Sequence, residues 1–176
     1  MDGAHPDLLH RARAGDEMAL DALFGPLIEP AFRLAFGLLH DRQLAEDAVQ
    51  EAALRAWHKL SQLRDGAGIR PWFFAFVANQ CRNMRRSTWS SVVRTDNAGG
   101  YTHGFEERIV AGADLERAIK DLSYHHRLAV VLHFYLDLPL DEVATITGVP
   151  LGTVKSRLHR AEAQLRLHLQ VTEGIG

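Results

Sequence analysis

The chain has 176 residues, with 20 Lys and Arg against 22 Asp and Glu and a formal net charge of −2. That length allows one ordinary domain or two small ones, and a near-neutral total does not by itself point to nucleic acid. Cys81 is the only cysteine, which excludes an intrachain disulfide and a cysteine-based metal cluster and fits a reducing compartment.

Asp7 to Ala14 predicts a short helix ended by Gly15, and a second helix runs from near Asp16 to Phe24. Pro26 and Pro30 punctuate the chain before a further helix carrying Phe32, Leu34, Ala35, Phe36, Leu38 and Leu39. Gln43 to Leu60 is the clearest helix, with Leu44, Ala48, Val49, Ala52, Ala53, Ala56, Trp57 and Leu60 on its expected buried side. Asp47, Gln50, Glu51 and Leu54 recur at i, i+3, i+4 and i+7 on a different face. Residues 41–51 hold Asp41, Glu46, Asp47 and Glu51 against Arg42 alone, so this helix opens strongly acidic. Such a stripe is either a solvated acidic face with Leu54 buried at its edge or, with its apolar end, a surface on which a basic protein partner would dock.

Ser61 to Pro71 predicts a loop, rich in Gly and without periodicity. Trp72 to Arg86 returns to helix, with Trp72, Phe73, Phe76, Val77, Cys81 and Met84 apolar. Asn79, Arg82, Asn83 and Arg86 form one polar, cationic stripe, while Phe73 and Phe76 belong to the core by their spacing. From Gly66 to Thr95 there are five arginines (Arg70, Arg82, Arg85, Arg86 and Arg94) and no acid. Residues 87–113 are rich in Ser, Thr, Gly and Asn and read as a linker, because a structureless loop of that length is rare inside a compact domain.

Asp114 to Leu122 and Tyr124 to Tyr135 predict two more helices, leading into LPLDEVATITGVPLGTVKSRLHRA. There Leu140, Val143, Ala144 and Thr147 share a face, Gly148 supplies a residue tolerant of the left-handed region, and Pro150 suits the start of a new helix. This is a helix-turn-helix pattern. In its second helix Val154, Leu158, Ala161 and Leu165 point inward, and Thr153, Lys155, Ser156, Arg157 and Arg160 lie away from that stripe. No acid occurs between Glu142 and Glu162, so the cationic face is unopposed and suits a polyanion.

The expected fold is therefore all-α: two small helical domains, residues 1–86 and 114–176, joined by a flexible linker over 87–113, with the helix-turn-helix in the second. No run approaches the apolar length of a membrane span, and MDGAHPDLLHRARAGD lacks the apolar core of a signal peptide, so membrane insertion is not expected. The histidines contain no H-x-x-x-H pair, and His125 and His126, being adjacent, point about 100° apart on a helix. Neither a metal nor a cofactor is expected. Gly-rich phosphate loops, nucleophile elbows and paired-carboxylate constellations are all missing, which argues against an enzyme.

Two motifs carry a resemblance. AEDAVQEAALRAWHKL followed by PWFFAFVANQCRN resembles the second conserved domain of the extracytoplasmic-function (ECF) sigma factors, small members of the sigma-70 family of bacterial RNA polymerase subunits; LPLDEVATITGVPLGTVKSRLHRA resembles their fourth. The similarity spans about Asp16 to Leu169. It implies a cytoplasmic promoter-specificity subunit whose partners are core RNA polymerase, promoter DNA and an anti-sigma protein. By motif, Asp47, Gln50, Glu51 and Leu54 would hold the β′ clamp helices. Leu63, Asp65, Trp72, Asn79, Arg82, Asn83 and Arg86 would serve the −10 element, with an unstacked base received by Asn79 and the Ser61–Arg70 loop. Thr153, Ser156 and Arg157 would face base edges of the −35 element, Lys155 and Arg160 its phosphates, and the fourth domain would also meet the β flap. Pro139 departs from the family, which often places a Ser-like cap there. A freestanding helix-turn-helix regulator is the alternative; it leaves the acidic Asp47 stripe and the aromatic, basic helix after it without a role.

Overall fold

The computed structural model describes residues 6–64, 67–92 and 110–173, and all of its regular structure is helical. The helices are α1 (Pro6–Arg13), α2 (Glu17–Leu39), α3 (Arg42–His58), α4 (Ile69–Val92), α5 (Val110–Asp121), α6 (Tyr124–Val130), α7 (Leu140–Thr147) and α8 (Leu151–Glu173). A single 3₁₀ turn, Leu60–Gln62, follows α3, and a π-helical turn, Val131–Tyr135, extends α6. Short polar side chains start α2 and α3. The carboxylate of Asp16 accepts from the Ala19 N–H at 3.1 Å and that of Asp41 from the Leu44 N–H at 2.9 Å, each satisfying a donor that the first turn leaves orphaned.

The first unit is α2, α3 and α4 packed together, with α1 on the outside. Ala45, Ala48, Ala52 and Ala56 are all fully buried on α3, and side chains this small let its axis approach α2 and α4 closely. Leu34 and Leu38 of α2 and Phe73, Phe74, Val77 and Cys81 of α4 fill the rest. A smaller cluster of Leu9, Ala12, Leu23, Leu60, Leu63 and Ile69 joins α1 to the segment between α3 and α4.

Three sequence-based expectations are corrected here. The helices on either side of Pro26 and Pro30 are one continuous α2. Each proline removes a ladder hydrogen bond, but the two stand four residues apart at partly or fully exposed positions, while Leu23, Ala31, Leu34, Ala35 and Leu38 gain burial along the other side. Consequently α2 is long and apolar enough to cross a membrane by length and composition alone, although its inner face packs on α3 and α4. Secondly, α4 runs to Val92 and α5 begins at Val110, both inside the stretch expected to be linker; 93–109 lie outside the described residues. Thirdly, Trp57 is half-exposed rather than buried. An indole does not fit a seam built from alanines, and the ring stacks instead on His58 at 5.5 Å.

The second unit wraps α5, α6 and α7 around α8. It does not stand apart from the first: one apolar core runs through both, from Leu34 and Phe73 to Val131, Val143 and Leu158. Gly37 of α2 meets the π-helical turn so closely that a Cβ there would lie 2.9 Å from the Val131 Cγ1. Polar contacts tie the same seam. Arg70 at the start of α4 donates to both carboxylate oxygens of Glu142 on α7, at 2.7 and 2.6 Å. Arg33 donates to the Tyr135 carbonyl at 3.2 Å and lies 5.3 Å from its ring, and the Tyr124 hydroxyl donates to the Ala78 carbonyl.

Candidate nucleic-acid and partner interfaces

The acidic stripe of α3 stands free of the core. Asp47, Gln50 and Leu54 are exposed and Glu51 partly so, with Leu54 half-exposed beside Trp57 three residues on. Local pairs hold the carboxylates in place: Gln43 donates to Asp47 at 3.3 Å and Arg55 to Glu51 at 2.8 Å. These are solvated i, i+4 contacts worth about 0.3–0.5 kcal/mol each. Trp57 enlarges the apolar end that the sequence pattern assigned to Leu54 alone.

On α4, Asn79, Arg82, Asn83 and Arg86 are exposed in one row, and Arg82 donates to Asn79 Oδ1 at 2.9 Å. Trp72 is half-buried, edge-on to Phe76 at 4.9 Å, so its ring borders the core while keeping part of its surface open. Phe73 is buried as expected, and Phe76 is only partly buried under the Lys59 ammonium. The loop before α4 is anchored from beneath, because the Arg13 guanidinium of α1 donates to the Leu60 and Leu63 carbonyls. Leu63 itself is 3% exposed within the α1 cluster, so here it packs and offers no surface to a base. Apolar transfer favours that position for a leucine in a loop otherwise poor in apolar side chains. Asp65, the other loop residue named from the sequence, lies outside the described residues.

The helix-turn-helix forms as its sequence dictates. Gly148 adopts φ 66°, and its N–H bonds back to the Ala144 carbonyl at 2.9 Å, closing α7 in the left-handed conformation that a glycine enters without steric strain. Pro139 occupies the N-cap of α7 and supplies no side-chain cap. On α8, Val154, Leu158 and Ala161 are buried and Leu165 partly so, which sets the roll of the helix. Lys155, Ser156 and Arg160 are exposed; Thr153 and Arg157 are half-buried on the side turned toward α6.

The sequence pattern missed the polar pins of the seam. Arg127, 4% exposed, donates to the Leu38 carbonyl of α2 at 2.9 Å, to Ile119 at 3.0 Å and to the Lys120 and Leu122 carbonyls. Burial, and then the Arg85 charge, pull its guanidinium down to about 10, still cationic at neutral pH. A lone arginine in an apolar helical run was the available signal. His40, the left-handed C-cap of α2 at φ 54°, keeps Nε2 buried without a hydrogen bond. Burial first, then the Arg127 and Lys120 charges, push it down to about 4. Burial likewise pushes the Cys81 thiol up to about 12, which leaves it inert as a nucleophile. Among the described residues, no three His, Cys, Asp or Glu come together in a way that could hold a metal.

Family models match both halves: sigma-70 region 2 over residues 23–91 and sigma-70 region 4 over residues 113–165. The chain is similar to the ECF RNA polymerase sigma factor SigL of Mycobacterium tuberculosis, 34% identical over 165 residues that cover 90% of this chain and 93% of that one. It is also similar to RNA polymerase sigma factor SigV of Bacillus subtilis, 30% identical over 138 residues covering 78% and 83%. Among solved structures it resembles the sigma factor RpoE of Bartonella quintana in complex with the anti-sigma factor NepR, with a TM-score of 0.67 and 28% identity over 82% of this chain and 93% of that one. CnrH bound to the cytosolic domain of CnrY shares the fold, with a TM-score of 0.66 at 21% identity, covering 96% and 98%.

Proposed function

Because the chain belongs to the ECF group of the sigma-70 family, and so directs RNA polymerase to promoters, we propose a division of labour among its three exposed surfaces. The α3 stripe of Asp47, Gln50, Glu51 and Leu54, widened by Trp57, holds the β′ clamp helices of the core enzyme. The α4 row opens the −10 element: Asn79 and the Ser61–Arg70 loop take one unstacked base beside Trp72, and Arg82, Asn83 and Arg86 follow the strand. Unstacking costs a few kcal/mol, which a cationic groove with an aromatic neighbour offsets. Helix α8 enters the major groove of the −35 element, with Thr153, Ser156 and Arg157 at base edges and Lys155 and Arg160 on phosphates. The unit built around α8 also meets the β flap.

The observation that carries this assignment is the roll of α8. Val154, Leu158 and Ala161 are fixed inward behind the Gly148 turn, which leaves the acid-free face outward. A freestanding regulator would use α8 alone and give the α3 stripe nothing to bind. The chain acts as a specificity subunit rather than an enzyme. An anti-sigma protein is a further partner, supported by the likeness to RpoE in its NepR complex.

Run-off transcription with core polymerase on a randomised promoter library tests the whole assignment. Arg157→Ala should change which −35 sequences win, with about 1–3 kcal/mol lost at one base position. Lys155→Ala should leave the winners unchanged and weaken all of them alike. A uniform loss from Arg157→Ala, with an unchanged set of winners, would move base reading to another face of α8.

A further inference from the structure

A cleft of about 520 Å³ lies between the start of α6 and the first half of α8. Its walls carry Arg157 and Arg160 from α8, His125 and His126 from α6, and the hydroxyls of Ser123 and Thr153, with no carboxylate among the lining residues. Cationic and titratable groups held this close repel one another unless an anion enters between them. His126 Nδ1 lies 3.3 Å from Gln164 Oε1, which holds the ring against α8. The cleft opens beside the N-terminal turns of α8, the part of a recognition helix that sits nearest DNA. The His125–His126 pair stands outside the helix-turn-helix motif itself, and a ring N–H of an imidazole can donate to a phosphate oxygen.

We propose that this cleft seats a backbone phosphate of the −35 duplex, with His125 and His126 joining Arg160 as its donors. The proposal rests on the assignment of α8 to the −35 element. It makes binding depend on protons. In the free chain, partial burial first, and then the charges of Arg157 on α8, Arg82 on α4 and His126 on its own helix, hold the His125 imidazole below its ordinary value. A phosphate in the cleft reverses that field and raises it. Binding then takes up a proton at any pH between the lowered free value and the raised bound one, and affinity falls as pH rises through that window.

The test uses holoenzyme reconstituted from the full chain and core polymerase, on the promoter duplex recovered from the run-off selection. Binding is measured between about 50 and 200 mM salt and from about pH 5 to 8. Wild type should bind more tightly toward the acid end. The double variant His125→Gln, His126→Gln should bind about tenfold more weakly there, lose its pH dependence, and show a salt slope shallower by about one, with the winning −35 sequences unchanged. A wild-type slope and pH profile in the double variant overturns the phosphate seat and leaves the −35 assignment standing. Failure of wild-type holoenzyme to protect the −35 region overturns both. Inorganic phosphate titrated into the free chain, followed by imidazole NMR signals, separates the two sources of the anion. If phosphate moves both signals while the duplex salt slope of the double variant stays wild-type, the cleft takes free phosphate and the duplex assignment is overturned.

Discussion

The Arg70–Glu142 pair offers a direct measure of how firmly the two helical units are joined. It links residues far apart in sequence through two charge-assisted bonds of 2.7 and 2.6 Å, with side chains only 27% and 12% exposed. Exposed pairs contribute about 0–1 kcal/mol, and removing one partner of a fully buried pair costs about 3–5 kcal/mol. This pair lies between those limits. Arg70→Ala strands a largely buried carboxylate and should destabilise the chain by about 2 kcal/mol; Glu142→Ala should cost somewhat less, because Arg70 can turn to solvent. The double variant should recover about 1–1.5 kcal/mol relative to the sum of the singles. Urea unfolding of the four proteins, followed by helical signal and by Trp fluorescence, gives these energies provided the two probes report one transition. A coupling energy below about 0.5 kcal/mol, the usual scatter of independent sites, would refute the view that this pair clamps α4 to α7. Two separated transitions in wild type would refute the shared core itself.

Other substitutions probe the remaining structure and surfaces. Arg127→Met removes the donor to four carbonyls on α2, α5 and the turn after it, and should cost about 3 kcal/mol, or about 6–12 °C in Tm by calorimetry. His40 is held neutral with its imidazole lowered to about 4, so its contribution is fully present above the unfolded value near 6.5 and is lost as pH falls from there toward 4. His40→Asn tolerates the left-handed backbone and does not titrate, so its urea midpoint should fall less over that acid range than that of wild type. Reversing Asp47 and Glu51 to Lys should weaken capture of core polymerase by at least tenfold in a pull-down titration, since like charges across an interface cost several kcal/mol; an unchanged capture by the folded variant would clear α3 of that role. Asn79→Ala should leave core capture intact and lower permanganate reactivity of the −10 region, and normal opening of a native duplex would place the base pocket elsewhere.

Much of this molecule was legible in the chain because local rules decided it. The turn at Gly148, the inward stripe of Val154, Leu158 and Ala161, and the outward row of Asn79, Arg82, Asn83 and Arg86 follow from helical periodicity and the left-handed tolerance of glycine, which act within a few residues. Family membership was legible for the same reason, since its motifs are runs of contiguous residues. What tertiary packing alone decided lies where distant segments compete with local preference. Pro26 and Pro30 forecast a break, and α2 runs through them because burial along its other side outweighs two lost hydrogen bonds. Trp57 is apolar and on a helical face, yet it is half-exposed, because the alanines of α3 set a spacing too narrow for an indole. Leu63 fell among candidate base contacts until α1 covered it. The joining of the two units through Arg70 to Glu142, Arg127 to Leu38 and Gly37 against Val131 has no periodic signature, because each pair spans more than seventy residues. Such contacts depend on the three-dimensional course of the chain, which periodicity along one helix does not encode.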